Sequence, residues 1–260
     1  MASTRIRLSD QIANWSTPEG IAKATAIHLP GLPNSPMPIP GITEFLIGLG
    51  YEVLQPHYPG TYDSAGAFNP YNSFECVSFW ANGLRDGTIE KLANLQNLEA
   101  NRTVALLSCH SFGSYTGMKA LRNGFEVEKA IFFGTSFCYG PEGERFGIRG
   151  DKTEHSRFVE RAFPKTFGVS EDGIIEEFFM RHSHDSLAGF AKRTSTDCVA
   201  VVPNADPTID PAASKVGVTS FFDDHPTAIL LHDFLVADKA GHAVASMLTD
   251  DVKRRLTDWF

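Results

Sequence analysis

No stretch of this 260-residue chain approaches the roughly 18 consecutive apolar residues that a membrane-spanning helix needs. Cysteine is scarce, with four residues, Cys76, Cys109, Cys138 and Cys198, and none of them stands at close metal-ligand spacing. In a chain of this size three of them read as buried thiols rather than as parts of a disulfide framework. Residues 1–15 mix Arg5, Arg7 and Asp10 with polar side chains and hold no continuous apolar run. They do not read as a secretory signal, so a cytoplasmic location is expected. No glycine-rich dinucleotide fingerprint follows the first core strand, and no aromatic-plus-basic patch suits a nucleic acid. Positive charge is also in deficit: the net charge is -8 and the pI about 5.6, which disfavours non-specific attraction to phosphate backbones. Internal repeats and low-complexity tracts are missing too.

What is present is an ordinary globular composition, 42% hydrophobic and 21% charged, with 22 glycines and 15 prolines to break it into elements. The length suits one large domain with a substantial core. Ala24 to Leu29 is the first core strand, stopped by the Pro/Gly-rich run 30–36. Ile42 to Leu49 carries apolar residues at helical spacing and Gly50 ends it; Tyr51 to Pro56 is a second strand. Strand, loop, helix, strand is the pattern of a parallel sheet covered by helices. In residues 61–82, Tyr62, Phe68, Tyr71, Phe74, Phe79 and Trp80 supply aromatic surface without a clean period, suited to a pocket mouth or to packing over the sheet edge.

Ile89, Leu92, Leu95 and Leu98 predict an amphipathic helix over 86–98, capped by Asp86. Thr103 to Leu107 is a continuous apolar run and predicts a strand buried on both faces. A helix over Tyr115 to Leu121 and a strand over Lys129 to Phe133 follow. Residues 138–196 break the rhythm: dense charge over 142–155 precedes Phe158, Phe163, Phe167, Ile174, Ile175, Phe178 and Phe179. A plain crossover needs far fewer residues, so this is an insertion of short helices. Cys198 to Pro203 resumes the buried-strand pattern, Pro226 to His232 reads as helix, Phe234 to Ala237 as a last short strand, and Ala243 to Phe260 as a terminal helix.

The decisive segment is Leu106-Leu107-Ser108-Cys109-His110-Ser111-Phe112-Gly113-Ser114. A serine held between a buried strand and a helix sits where small neighbours allow a sharp turn and where helical N–H groups face developing negative charge. This segment resembles the nucleophile elbow G-x-S-x-G of the α/β-hydrolase superfamily, with Cys109 in place of the first glycine and Gly113 as the second. The resemblance extends in order over residues 24–256. It implies a three-layer α/β sandwich with a mostly parallel central sheet, one domain over 1–260, and a small helical lid inserted at 138–196.

The same resemblance implies the site. Pro30-Gly31-Leu32-Pro33-Asn34-Ser35 is similar to the superfamily's His-Gly-x-Pro-Gly-Ser turn, and Tyr58-Pro59-Gly60 to its loop after the next strand. By that likeness the backbone N–H groups of Leu32 and Phe112 form an oxyanion hole; Pro30 and Pro33 have no N–H to offer. Asn204-Ala205-Asp206-Pro207 to Pro211 is similar to the acid-bearing G-x-x-D-x-x-x-P region, with Asp206 at the matching position, Asp210 as the local alternative and Asn204 in place of glycine. Ala240-Gly241-His242 resembles the Gly-His ending, which makes His242 the base. The order Ser111, Asp206, His242 agrees with the family. The expected activity is hydrolysis of an ester or related acyl bond on a small or medium, mainly apolar substrate, without cofactor or metal. Acyl transfer on the same residues, or a catalytically silent binding protein, are the alternatives.

Three other features have blander readings. His110 adjoins Ser111, but successive side chains diverge, so packing or hydrogen bonding beneath the turn is expected. His232 reads as structural. His182 and His184 could share one face of a strand, with Asp185 next in sequence, yet no further ligand cluster accompanies them, and a solvated or lid-surface role is expected.

Overall fold

The computed structural model describes residues 1–33, 35–135, 137–138, 145–146, 152–162, 168–180, 196–223 and 229–260. The chain opens with a hairpin, β1 (Ala2–Leu8) and β2 (Gln11–Thr17), closed through Ser9 and Asp10. Then come β3 (Ala24–Leu29), α1 (Ile42–Gly48), β4 (Tyr51–Pro56), α2 (Glu75–Asp86), the short β5 (Glu90–Lys91), β6 (Val104–His110), α3 (Phe112–Arg122) and β7 (Lys129–Phe133). The short strands β8 (Phe137–Cys138) and β9 (Arg145–Phe146) pair with each other. The rest is α4 (Lys152–Ala162), α5 (Ile174–Met180), β10 (Thr196–Pro203), α6 (Pro211–Asp223), β11 (Ile229–Ala237), α7 (Val244–Met247) and α8 (Asp250–Trp259).

Among the described residues these strands make a nine-stranded sheet in the order β11-β10-β7-β6-β3-β4-β2-β1-β5. From β4 to β11 every pairing is parallel, while β1, β2 and β5 join antiparallel. Side chains alternate between the two faces of a strand, which explains the unbroken apolar runs. Leu106, Val199 and Val201 join the layer of α1, α7 and α8, whereas Leu107, Cys198 and Ala200 join the layer of α2 to α6. Each large apolar side chain so buried contributes about 1.5–3 kcal/mol relative to exposure. The chain leaves β3 for β4 on one side and later for β6 on the other. Loops at the carboxyl ends of β3 and β6 therefore face each other where strand order reverses, the usual ligand crevice of open α/β sheets.

Several elements depart from the sequence expectations. The hairpin β1–β2 precedes the expected first strand: only Ile6 of β1 is fully buried, so its pattern is weak. Of the 61–82 aromatics, Phe68 and Trp80 are both 1% exposed whereas Phe79 is exposed, and Trp80 lies on α2, whose buried stripe is Cys76, Val77, Trp80 and Leu84. The expected helix over 86–98 does not form. Gly87, left-handed at φ 67°, ends α2 there, and Glu90 and Lys91 pair with β1 instead. A strict spacing of three falls behind the helical period by roughly 60° at each step, so such a stripe leaves its own face. Leu92 and Leu95 are accordingly exposed.

Helix α6 follows β10 where no element was expected. The helix expected at Pro226 to His232 is also corrected, because β11 already begins at Ile229. Its register with β10 slips at Cys198/Val199, so Leu231 and Asp233 face consecutive residues of the partner and His232 sits in a bulge. The terminal helix is broken in two: Thr249 adopts extended backbone and its hydroxyl accepts the Val252 N–H, starting α8 afresh. Of the 138–196 insertion, α4 and α5 bring Val159, Ile174, Ile175, Phe178 and Phe179 into the core beside α3. Phe163, Phe167, His182, His184 and Asp185 lie outside the described residues. Cys76, Cys109 and Cys198 are free, buried thiols.

Candidate active site

Ser111 stands between β6 and α3 with φ 53° and ψ -118°, a conformation that costs a non-glycine residue on the order of 1–3 kcal/mol. Packing enforces it. The Ser111 N–H donates to the Phe133 carbonyl at 2.9 Å, tying the turn to β7. Gly113 lets α3 come down onto β3: a Cβ there would lie 2.0 Å from the Leu29 carbonyl oxygen. Glycine is therefore required at this position by contact with backbone, which cannot yield.

His242 lies in the loop after β11 and Asp206 in the loop after β10. These loops are laced together: Ala205 N–H donates to the Ala240 carbonyl at 3.1 Å, and the Asn204 side-chain oxygen accepts from Lys239 N–H at 2.6 Å. The Asn204 amide also donates to Asp238 at 2.6 Å. His242 Nδ1 is 2.7 Å from Asp206 Oδ2, and His242 Nε2 is 3.0 Å from Ser111 Oγ. An ionised carboxylate can only accept, so Nδ1 carries the proton and Nε2 presents a lone pair to the serine hydroxyl. Asp206 is 1% exposed. Burial alone would raise its pKa. The His242 hydrogen bond and charge, with N–H donors from Ile209 and Thr208, outweigh burial and hold it below the ordinary value.

Asp210, the local alternative, is not at His242. Its carboxylate accepts the Ala212 N–H at 3.0 Å, directly before Pro211, where α6 begins. It is a helix cap. His110 is the last residue of β6, and its Nε2–H donates to the His242 carbonyl at 2.8 Å. That partner is 132 positions away in sequence, which is why spacing alone does not reveal it. Burial pushes the His110 pKa down to about 3, with the nearby His242 acting in the same direction, so the ring is neutral.

The turn after β3 runs directly against the serine. A Cβ on Gly31 would lie 2.9 Å from Ser111 Cβ and 3.2 Å from His110 Nδ1. Leu32 and Phe112, the expected backbone donors, are buried on either side. Around Phe112 is an aromatic cluster: Tyr58, Phe68, Phe178 and Tyr115 have ring centroids 5.4, 5.8, 5.6 and 6.0 Å from it. Among the described residues no group of three or more His, Cys, Asp or Glu could hold a metal ion, and no helix is long and apolar enough to cross a membrane.

No family model and no curated protein sequence matches the chain. Solved structures do. An α/β hydrolase from Penicillium is similar with a TM-score of 0.62 at 12% identity, over 99% of this chain and 96% of that one. An esterase of Pyrococcus furiosus gives 0.60 at 14% identity, over 99% and 90%. A monoacylglycerol lipase of Paleococcus ferrophilus gives 0.57 at 13% identity, over 96% and 97%. At such identities the likeness is one of fold.

Proposed function

We propose that this chain, which has the α/β-hydrolase fold, is a serine hydrolase that cleaves an ester or related acyl bond through an acyl-enzyme, with Ser111, His242 and Asp206 as its catalytic triad. The observation that carries this reading is the continuous hydrogen-bond chain from Asp206 through His242 to Ser111 Oγ, built from three separate loops. That two similarly folded proteins are an esterase and a lipase supports it.

In this mechanism Ser111 Oγ attacks the acyl carbon while its proton passes to His242 Nε2. The carbonyl electron pair moves onto oxygen, where the N–H groups of Leu32 and Phe112 receive it; fixed donors stabilise that charge more than the neutral carbonyl. Collapse expels the leaving alcohol, which takes the proton from Nε2. Water then repeats both steps on the acyl-serine. Asp206, kept ionised, orients His242 and stabilises its charged form. None of these steps calls for a cofactor.

The substrate in this reading is a small or medium, mainly apolar acyl ester. The rings of Tyr115 and Phe178 beside Phe112 support that preference. Residues 138–196 act as an inserted lid within a single domain over 1–260. The reach of Phe178 on α5 to within 5.6 Å of Phe112 supports a role near the acyl group. The test is hydrolysis of a nitrophenyl ester series of increasing acyl length, with thioester and amide counterparts. Turnover highest for short to medium apolar acyl esters, and lost in Ser111→Ala, is expected. A folded wild-type protein inert towards the whole panel overturns the reading.

A further inference from the structure

Tyr58 follows β4 and its side chain is fully buried. Its hydroxyl donates to the Pro30 carbonyl oxygen at 2.8 Å. Its ring meets the Phe112 ring edge-on, at 5.4 Å and 87°. Thr116, one turn along α3 from Phe112, donates its hydroxyl to the Phe112 carbonyl oxygen at 3.3 Å and lies 3.4 Å from the Ser73 hydroxyl. One side chain thus touches both segments that flank Ser111, the turn after β3 and the first turn of α3.

The turn after β3 needs such a brace. Gly31 carries no side chain because the serine and His110 press against it, so nothing of its own fixes its backbone. Downstream, Gln55 of β4 donates to the Ser35 and Met37 carbonyls at 3.3 and 2.9 Å and accepts the Ile39 N–H at 3.0 Å. Upstream, the Tyr58 hydroxyl holds the Pro30–Gly31 peptide. Leu32 lies between these two anchors.

We propose that Tyr58 is a positioning residue for the oxyanion hole, setting the Leu32 donor relative to the Phe112 donor without itself touching substrate. This rests on the serine-hydrolase reading above. Donors aimed at the place where charge develops are effective only if they do not have to reorganise during the reaction. Tyr58→Phe removes one hydroxyl, keeps the ring against Phe112, and leaves the buried Pro30 carbonyl without that donor.

The experiment compares wild type, Tyr58→Phe and Thr116→Val in ester hydrolysis and in binding of a trifluoromethyl ketone, which forms an anionic tetrahedral adduct. For Tyr58→Phe, kcat should fall roughly 10- to 30-fold, less than the 100-fold or more typical of losing an oxyanion donor outright. KM should stay within about twofold, and ketone affinity should fall in parallel with kcat. Thr116→Val, which removes a neighbouring hydroxyl of α3 but leaves the Pro30 bond in place, is the control and should keep kcat and ketone affinity within about twofold of wild type; kinetics at lower temperature serve if Tyr58→Phe is too unstable. Unchanged kcat and ketone affinity in folded Tyr58→Phe, an equal loss in Thr116→Val, or a raised KM with kcat intact, overturns the role of Tyr58 alone. A wild-type protein that neither hydrolyses esters nor binds the ketone overturns the serine-hydrolase reading, and this inference with it.

Discussion

Cys109 and Gly117 are fitted to each other. The sulfur of Cys109 on β6 points at α3 where Gly117 has no side chain, and a Cβ on Gly117 would lie 2.4 Å from it. Cys109 occupies the position where G-x-S-x-G has its first glycine. The space that a glycine on the strand would leave is here supplied by a glycine on the helix. The thiol is fully buried, and burial pushes its pKa well up, so it is a packing group rather than a nucleophile. Gly117→Ala should destabilise the fold by about 1–3 kcal/mol and lower kcat, because α3 must move away from the serine turn. Adding Cys109→Gly should restore much of both. Denaturant unfolding and kinetics of the three variants measure the coupling; additive losses would contradict it.

The two candidate acids separate cleanly. Asp206→Asn should reduce kcat by on the order of 10⁴-fold, since an amide no longer selects the Nδ1–H tautomer of His242. Asp210→Ala removes the carboxylate that caps α6 and should cost about 1 kcal/mol of stability while leaving kcat near wild type. Steady-state rates with thermal unfolding of both variants decide the assignment.

His110 bears on His242 through the backbone. His110→Phe keeps a ring beneath the turn but removes the donor to the His242 carbonyl, and roughly tenfold lower kcat with unchanged KM is expected. The pH profile offers a second check. Because burial pulls the His110 pKa down to about 3, this ring should add no proton to the acid limb of kcat/KM above pH 4.5, where a slope of about one is expected. A slope near two there would mean that His110 takes up a proton in that range.

Stability should decline on the acid side of neutrality. His28 and His57 are both fully buried, and burial pulls each pKa from 6.5 to about 4. The unfolded chain takes up these protons as pH falls through about 6.5, whereas the folded chain resists until about 4. Stability contributed by the neutral rings is therefore full above pH 6.5 and is lost progressively down to about 4. The depressed carboxyl of Asp206 adds a further loss only below the ordinary carboxylate range. Urea unfolding midpoints from pH 7.5 to 4.5 measure this; a flat profile between 7 and 5 would contradict it.

Much of the sheet was legible because β6, β7 and β10 are covered on both faces and carry continuous apolar runs, while Pro/Gly-rich loops end β3 and β4. Ser111, Asp206 and His242 could be picked out because a strand end and a loop signature frame each of them, and the structure brings the three together. What escaped lacked such a frame. β1 has a single fully buried residue, the α2 stripe is blurred by Phe74 and Phe79 lying off its face, and the bulge at His232 breaks the alternation of β11. The leucines of 86–98 have the right chemistry at the wrong period. The bonds from His110 to His242, from Tyr58 to Pro30 and from Asn204 to the turn before His242 span long stretches of sequence, and no local pattern encodes them.

The most direct measurement is covalent labelling. Wild type, Ser111→Ala and His242→Ala are incubated with a fluorophosphonate, and the adduct is weighed on the intact protein and mapped by peptide mass. One adduct on Ser111, much slower in His242→Ala and missing in Ser111→Ala, is the predicted result. Folded wild-type protein that stays unlabelled, or an adduct on any residue other than Ser111, would contradict the account.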